Sequence, residues 1–357
     1  MSGIVDWGLA ARSADLVIAG IPGRRPERTP ATYSATEVER ACEAAIELAA
    51  GYAGLGRVAD PPVPELLDRR RWAQNALRSL AEAAAPLEAR LGADLELGGP
   101  LGAVVRRGIG AAIGAETGLA AGYAARRVLG QYDIALFGRP RPPRLLFVAD
   151  NLAAARASLD AEPGLFLEWV ALHETTHVIQ FDRVEWLVPH LRGLVTELLE
   201  GTAAGIDATA LARIARRALR DPRELARALI HGELARLLTE PRTRALLDRV
   251  QATMSMVEGH AEHVMDAGAA ERGPALDQLR RRLDERRARR GGLGDLIARL
   301  LGMDLKLRQY ELGKAFCDRV VAAAGPDALR LAWRSPDDLP DLAELEHPKR
   351  WLERVAW

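Results

Sequence analysis

The chain has 357 residues, with 49 Lys plus Arg against 49 Asp plus Glu, so its formal net charge is zero. A composition of 48% hydrophobic and 27% charged residues excludes a chain that is disordered throughout. The balanced charge excludes a global basic field for nucleic acid.

Taken in chain order, the N-terminus lacks a basic leader, and Asp6, Arg12 and Asp15 interrupt any apolar run, so no signal peptide is expected. Apolar or small residues recur at helical spacing near 35–54, 64–92 and 101–130. Prolines 61, 62 and 64 separate the first two segments, and Gly98, Gly99 and Pro100 the next two. A possible boundary falls near residue 100, between an N-terminal helical region packed on the core (1–100) and a catalytic region (101–357), which can also be one continuous domain. Within 101–130, Gly110, Gly114, Gly118 and Gly122 recur every fourth residue. In a membrane this would suggest a helix dimer, but Glu116 interrupts the stretch well short of the roughly 20 apolar residues a span needs. The spacing therefore predicts close approach of another backbone, and no membrane partner is expected. Strands are expected at 131–137 and 144–149. Helices return at 162–181, 190–219, 222–237, 241–268, 274–290, 293–301 and 305–323, ahead of a Pro-punctuated tail. The fold class is mainly α with a small β element (α+β). Two cysteines, Cys42 and Cys317, are too few for a disulfide framework or a cysteine zinc site, which fits a reducing, cytoplasmic setting.

Chemistry concentrates at His173-Glu174-Thr175-Thr176-His177. On a helix, residues i and i+4 share a face, so both imidazoles reach one metal ion while Glu174 stands beside it, toward the water such an ion activates. Leu165, Phe166, Trp169, Val170 and Leu172 precede the motif at helical spacing, and no Pro or Gly falls between 165 and 181. A catalytic zinc wants a third protein ligand and one open position. Leu247, Val250, Met254, Val257, Ala261, Val264 and Met265 form an apolar stripe, and Glu258 falls inside it. A lone carboxylate facing a core must be paired or neutralised, which makes Glu258 the favoured third ligand, with His260 and His263 as alternatives. Glu262, one turn on, is a candidate to orient a ligand histidine. His263 and Tyr310 are candidate donors to a developing oxyanion, although Tyr310 also fits an ordinary core stripe with Leu307. Two histidines and a carboxylate also describe non-haem iron oxygenases, and Glu174–His177 with Glu344–His347 describe a di-iron bundle. Scarce strands disfavour the first, and the prolines around Glu344 disfavour the second. Arg280–Arg290 reads as the solvated face of a helix rather than a nucleic-acid site.

Trp169–Phe181 with Trp186-Leu187, Val257–Asp266, Leu305–Phe316, Gly130–Asp133 and Phe147–Asn151 together resemble a bacterial zincin-like metallopeptidase family. Its members are mostly named as hydrolases, some in association with deazaflavin-coenzyme biosynthesis. The resemblance covers most of the chain from about residue 100. It implies a zincin-like core with the metal helix under a small sheet, one Zn2+ held by His173, His177 and Glu258, and Glu174 as general base. It implies a peptide or amide substrate without naming it. The alternatives are a metal-containing protein that binds without catalysis, and a zinc hydrolase of a small-molecule amide. Oligomeric state is not legible.

Overall fold

The structure, a computed structural model, describes residues 5–20, 33–94, 100–205, 241–271, 273, 278–282 and 303–356. The side chains of 90–94, 100–106, 202–205, 241, 269–271 and 303–311 lie outside that description. The helices expected at 222–237 and 293–301, and parts of those at 190–219 and 274–290, also lie outside the described residues.

Helices α1 (Trp7–Ala19) and α2 (Ala35–Ala53) come first, followed by strand β1 (Pro64–Leu67) and helices α3 (Arg69–Asp94) and α4 (Pro100–Ala125). Strands β2 (Gly130–Asp133) and β3 (Arg144–Val148) lead into α5 (Ala149–Leu159), α6 (Pro163–Arg183) and α7 (Leu187–Gly205). The chain then forms α8 (Pro241–Glu271) and α9 (Met303–Ala324). Two 3-10 turns at Pro326–Trp333 and Pro336–Asp338 precede the short helices α10 (Leu342–Glu346) and α11 (Pro348–Val355). This is a mainly α fold with one small sheet, as the sequence pattern indicates. Among the described residues, no helix is long and apolar enough to cross a membrane.

The sheet has the order β1-β3-β2, with β1 parallel and β2 antiparallel to β3. Leu145 to Val148 of the central strand are all buried, as suits an apolar run covered on both faces. β2 is an edge strand, and α6 packs against it. The register pairs Gly130 with Phe147 and Tyr132 with Leu145. This holds β2 beside the metal-motif helix. β1 departs from the helical expectation over 64–92. Residues 64–67 pair with β3 instead, and the helix begins only at Arg69. A proline at position 64 removes one backbone donor, and a first strand residue tolerates that loss.

The glycine repeat in α4 is met by α1. A Cβ at Gly114, Gly118 or Gly122 would strike the backbone of Asp6, Ala10 or Ala14 at 2.3, 2.1 and 2.7 Å. The Asp6 amide also donates to the Gly110 carbonyl at 3.0 Å. The stripe therefore seats one helix on another within a single chain. A similar contact joins α8 to α9, where a Cβ on Gly313 would fall 1.8 Å from the Ser255 carbonyl oxygen.

One core gathers α2, β3 and α6 through Ala45, Ala49, Phe147, Phe166, Val170 and Ile179. Ser34 and Glu37 start α2 with a reciprocal capping box. A second core lies between α8, α9 and the C-terminal turns, where Phe316 meets Trp351 edge-on at 5.1 Å. α8 contributes to both cores, Val264 and Met265 to the first and Met256 and Val257 to the second, and it packs on the metal-motif helix α6. Cys42 and Cys317 are both free and buried, and burial raises both thiol pKa values, Cys42 to about 12, which leaves them unreactive.

Candidate metal centre

α6 is fixed at its start by Glu162, whose carboxylate accepts from the amides of Gly164 and Leu165 at 2.9 and 2.6 Å, with Pro163 at the first helical position. From Phe166 to Gln180, nearly every residue of the helix is buried. Thr175 and Thr176 satisfy their buried hydroxyls within the helix, on the carbonyls of Ala171 and Leu172 at 2.8 and 2.7 Å. The motif thus sits on a rigid, enclosed helix.

The His173 and His177 rings meet edge to face, with centroids 4.7 Å apart. Their Nε2 atoms are separated by 3.2 Å. α8 brings Glu258 against them, its Oε2 at 3.5 Å from His173 Nε2 and 3.4 Å from His177 Nε2. Among the described residues these three form the one cluster of His, Cys, Asp or Glu donors spaced to hold a metal ion. A tetrahedral ion with bonds of about 2.0–2.1 Å separates its ligand atoms by about 3.3–3.4 Å. The observed triangle of donors fits one face of such a tetrahedron.

Gln180 settles which nitrogen of His177 faces this point. Its Nε2 donates to the Val257 carbonyl at 2.8 Å, and a carbonyl can only accept. Its Oε1 must then face His177 Nδ1, 2.8 Å away, so Nδ1 carries the proton. Whenever the ring is neutral, His177 Nε2 therefore has its lone pair toward His173 and Glu258. Gln180 is fully buried and also reaches His260 Nδ1 at 3.0 Å. Gln180→Leu should weaken zinc binding by about 10–100-fold, the usual consequence of losing an outer-shell partner. Competition against a chromogenic chelator measures this, and unchanged affinity would show that His177 needs no partner at Nδ1.

Burial disfavours the imidazolium of His177, but the Glu258 carboxylate beside it outweighs that and moves its pKa up to about 9. Glu258 is partly buried too, and the two histidines hold it well below the ordinary carboxylate range. Without an ion, the group therefore stores a proton between His177 and Glu258.

Glu174 is 6% exposed. Desolvation raises its pKa; the two histidines oppose this, Glu258 adds to it, and the Tyr132 backbone amide on β2 opposes it by donating to the carboxylate. A Cβ on Gly130 would come within 2.6–2.8 Å of the Glu174 side chain, so the absence of a side chain there makes room for the carboxylate. The edge strand thus shapes the surroundings of Glu174.

The other residues singled out in the sequence have the following surroundings. Glu262 Oε2 accepts from Arg280 at 3.3 Å, while the position beside His177 Nδ1 is held by Gln180. His263 Nδ1 lies 2.7 Å from Asp318, which also accepts from Lys314 at 2.6 Å. His260 is fully buried against Trp333, and burial first, with the His263 charge second, lowers its pKa to about 3. Tyr310 belongs to α9, but its side chain lies outside the described residues. Of the arginine-rich segment, residues 280–282 are described. Arg280 pairs with Asp266 at 2.8 Å and Arg282 with the Leu159 carbonyl at 2.9 Å. Gln180 itself was overlooked in the sequence. Its signal was a polar residue three positions after His177, between the apolar Ile179 and Phe181.

The zincin-like metallopeptidase family model matches residues 5–352. Among solved structures, the chain is similar to a "putative hydrolase with a novel fold" from Chloroflexus aurantiacus, at 28% identity over 99% of both chains with a TM-score of 0.66. A comparison with curated proteins found no match. The family implies a metal, typically zinc, and the His-His-Glu group is a candidate to hold it. From these matches and the fold, the chain belongs to the zincin-like metallopeptidase family.

Proposed function

We propose that this protein is a zinc-dependent hydrolase of peptide or amide bonds, with one ion held by His173, His177 and Glu258. The observation that carries this reading is the convergence of three donor atoms at 3.2–3.5 Å, with Glu174 buried beside them. A structural zinc site is closed by four protein ligands and has no use for a spare carboxylate, whereas a catalytic site keeps three and an open corner.

Zinc in such a site lowers the pKa of a water to about 7 and polarises a carbonyl. The chain's own residues do the rest. Glu174 accepts the proton of the attacking water and passes it to the departing amine. The desolvation that raises its pKa brings its basicity nearer to neutral pH, where proton transfer in both directions is efficient. The Tyr132 amide and the gap at Gly130 keep its carboxylate in one orientation. Gln180 keeps the His177 lone pair directed at the ion.

The test is a library of internally quenched peptides together with a panel of small amides, offered to zinc-loaded protein. Hydrolysis should appear in one of the two sets, disappear on chelation and return with added zinc. Tight zinc binding with no turnover in either set would reject the hydrolase reading in favour of a metal-containing binding protein.

A further inference from the structure

A cavity of about 530 Å³ has in its lining Phe181, a neighbour of the His-His-Glu group. Phe181 links the two. It lies one helical turn beyond His177, with ring centroids 6.5 Å apart, and its ring meets that of Tyr132 at 5.9 Å. Tyr132 is on the strand whose backbone serves Glu174. Leu136 and Phe137 continue the apolar wall, and Arg141 and Arg192 supply its charge. The size is in the range of small-ligand sites, which enclose an apolar group and orient it with a few polar ones.

The two arginines differ. Arg141 shares one terminal nitrogen between Ser79 and Asp133, at 3.1 and 3.3 Å, so its charge is already answered. Arg192 is pinned to the wall by Nε, which donates to the Leu136 carbonyl at 2.7 Å. Its terminal nitrogens have no partner among the described residues. A guanidinium fixed through Nε presents those two nitrogens as a fork, the geometry that matches a carboxylate. The Tyr132 hydroxyl likewise has no hydrogen-bond partner among the described residues, and as a neutral phenol it can donate.

We infer that this cavity takes a bulky apolar amino-acid side chain while Arg192 holds the carboxylate of the same residue, so that the substrate is an N-acylated apolar amino acid with a free carboxylate. That chemistry is found at the C-terminus of a peptide and in a free N-acyl amino acid. The inference rests on the reading that the neighbouring group is the reactive centre.

The experiment compares N-acetyl-L-phenylalanine with its carboxamide by calorimetry, with and without zinc, on the wild type, Arg192→Leu and Val188→Trp. Val188 lines the same cavity from α7, and a tryptophan there fills it. The acid should bind about tenfold or more tighter than the amide, with or without zinc. Arg192→Leu should erase that preference, and Val188→Trp should weaken both ligands. Equal binding of acid and amide overturns the inference, as does an acid preference that needs zinc and survives Arg192→Leu. In that case the carboxylate sits on the ion. Hydrolysis is then followed on peptides ending in phenylalanine as acid or amide, and on N-acetyl-phenylalanine itself; which of them turns over separates a peptide from a small-amide substrate. The expected binding pattern without any turnover would support the cavity assignment and reject the hydrolase reading. Turnover with no dependence on Arg192 would do the reverse.

Discussion

Glu174→Gln should retain its zinc and lose about 10²–10⁴-fold in turnover, the range contributed by a positioned general base. Glutamine has the same shape, so it keeps the space beside Gly130 and leaves His173, His177 and Glu258 in place. What it lacks is an oxygen that takes up a proton. The direction of the stability change is also fixed. Burial raises the folded pKa of Glu174 above its unfolded value. The stability linked to its protonation is full below the unfolded pKa and is lost as pH rises through the folded one. Wherever the buried carboxylate ionises it costs stability, and the neutral amide avoids that cost. The metal-free variant should melt at the same temperature as the metal-free wild type or higher. Turnover equal to that of the wild type at full zinc occupancy would remove Glu174 from the chemistry. A fall in melting temperature would show that lost folding, rather than lost chemistry, explains an inactive variant.

Glu258→Ala should lose zinc by more than the about 10–100-fold expected for an outer-shell residue. Wild-type protein, loaded and dialysed, should hold about one zinc per chain by mass spectrometry, and the variant much less. A second readout comes from the proton stored in the metal-free group. The carboxylate of Glu258 is what raises the His177 pKa to about 9 against the effect of burial. At neutral pH, zinc must displace the proton from His177 Nε2, so binding to the wild type should release a proton and strengthen as pH rises toward 9. Calorimetry in buffers of different ionisation enthalpy counts that proton. In Glu258→Ala, burial acts unopposed by that carboxylate, His177 becomes neutral more readily, and both the release and the pH dependence should shrink. Full zinc content in the variant would move the third ligand elsewhere.

Which parts of this site were legible in the sequence follows from the range of the forces involved. The helix carrying His173 and His177 is a local matter. Its apolar spacing, the Glu162-Pro163 start and the i, i+4 placement of two imidazoles are all set within 21 residues. Glu258 was nominated by a local conflict, a carboxylate within an apolar stripe, since an isolated charge in a core requires a counter-charge. The stripe says that a partner is needed but not where it lies. Only the packing of α8 on α6 put the carboxylate 3.4 Å from His177. The same limit explains Gln180, whose role needs the Val257 carbonyl, 77 residues away, to fix its orientation.

Non-local pairing also decided what the periodicity misread. Pro64–Leu67 continues a helical pattern in sequence and is a strand because β3 offers it a parallel edge. α1 is not among the helices read from the sequence, and the glycines of α4 give it a seat. The sequence by itself determined the helical class, the rigid motif helix and the need for a counter-charge at Glu258, because each follows from residues within a few turns of one another. The tertiary structure alone decided the donor triangle, the wall that Gly130 and Tyr132 build around Glu174, and the cavity between β2, α6 and α7. These depend on contacts between segments far apart in the chain, for which a single sequence carries no periodic signal.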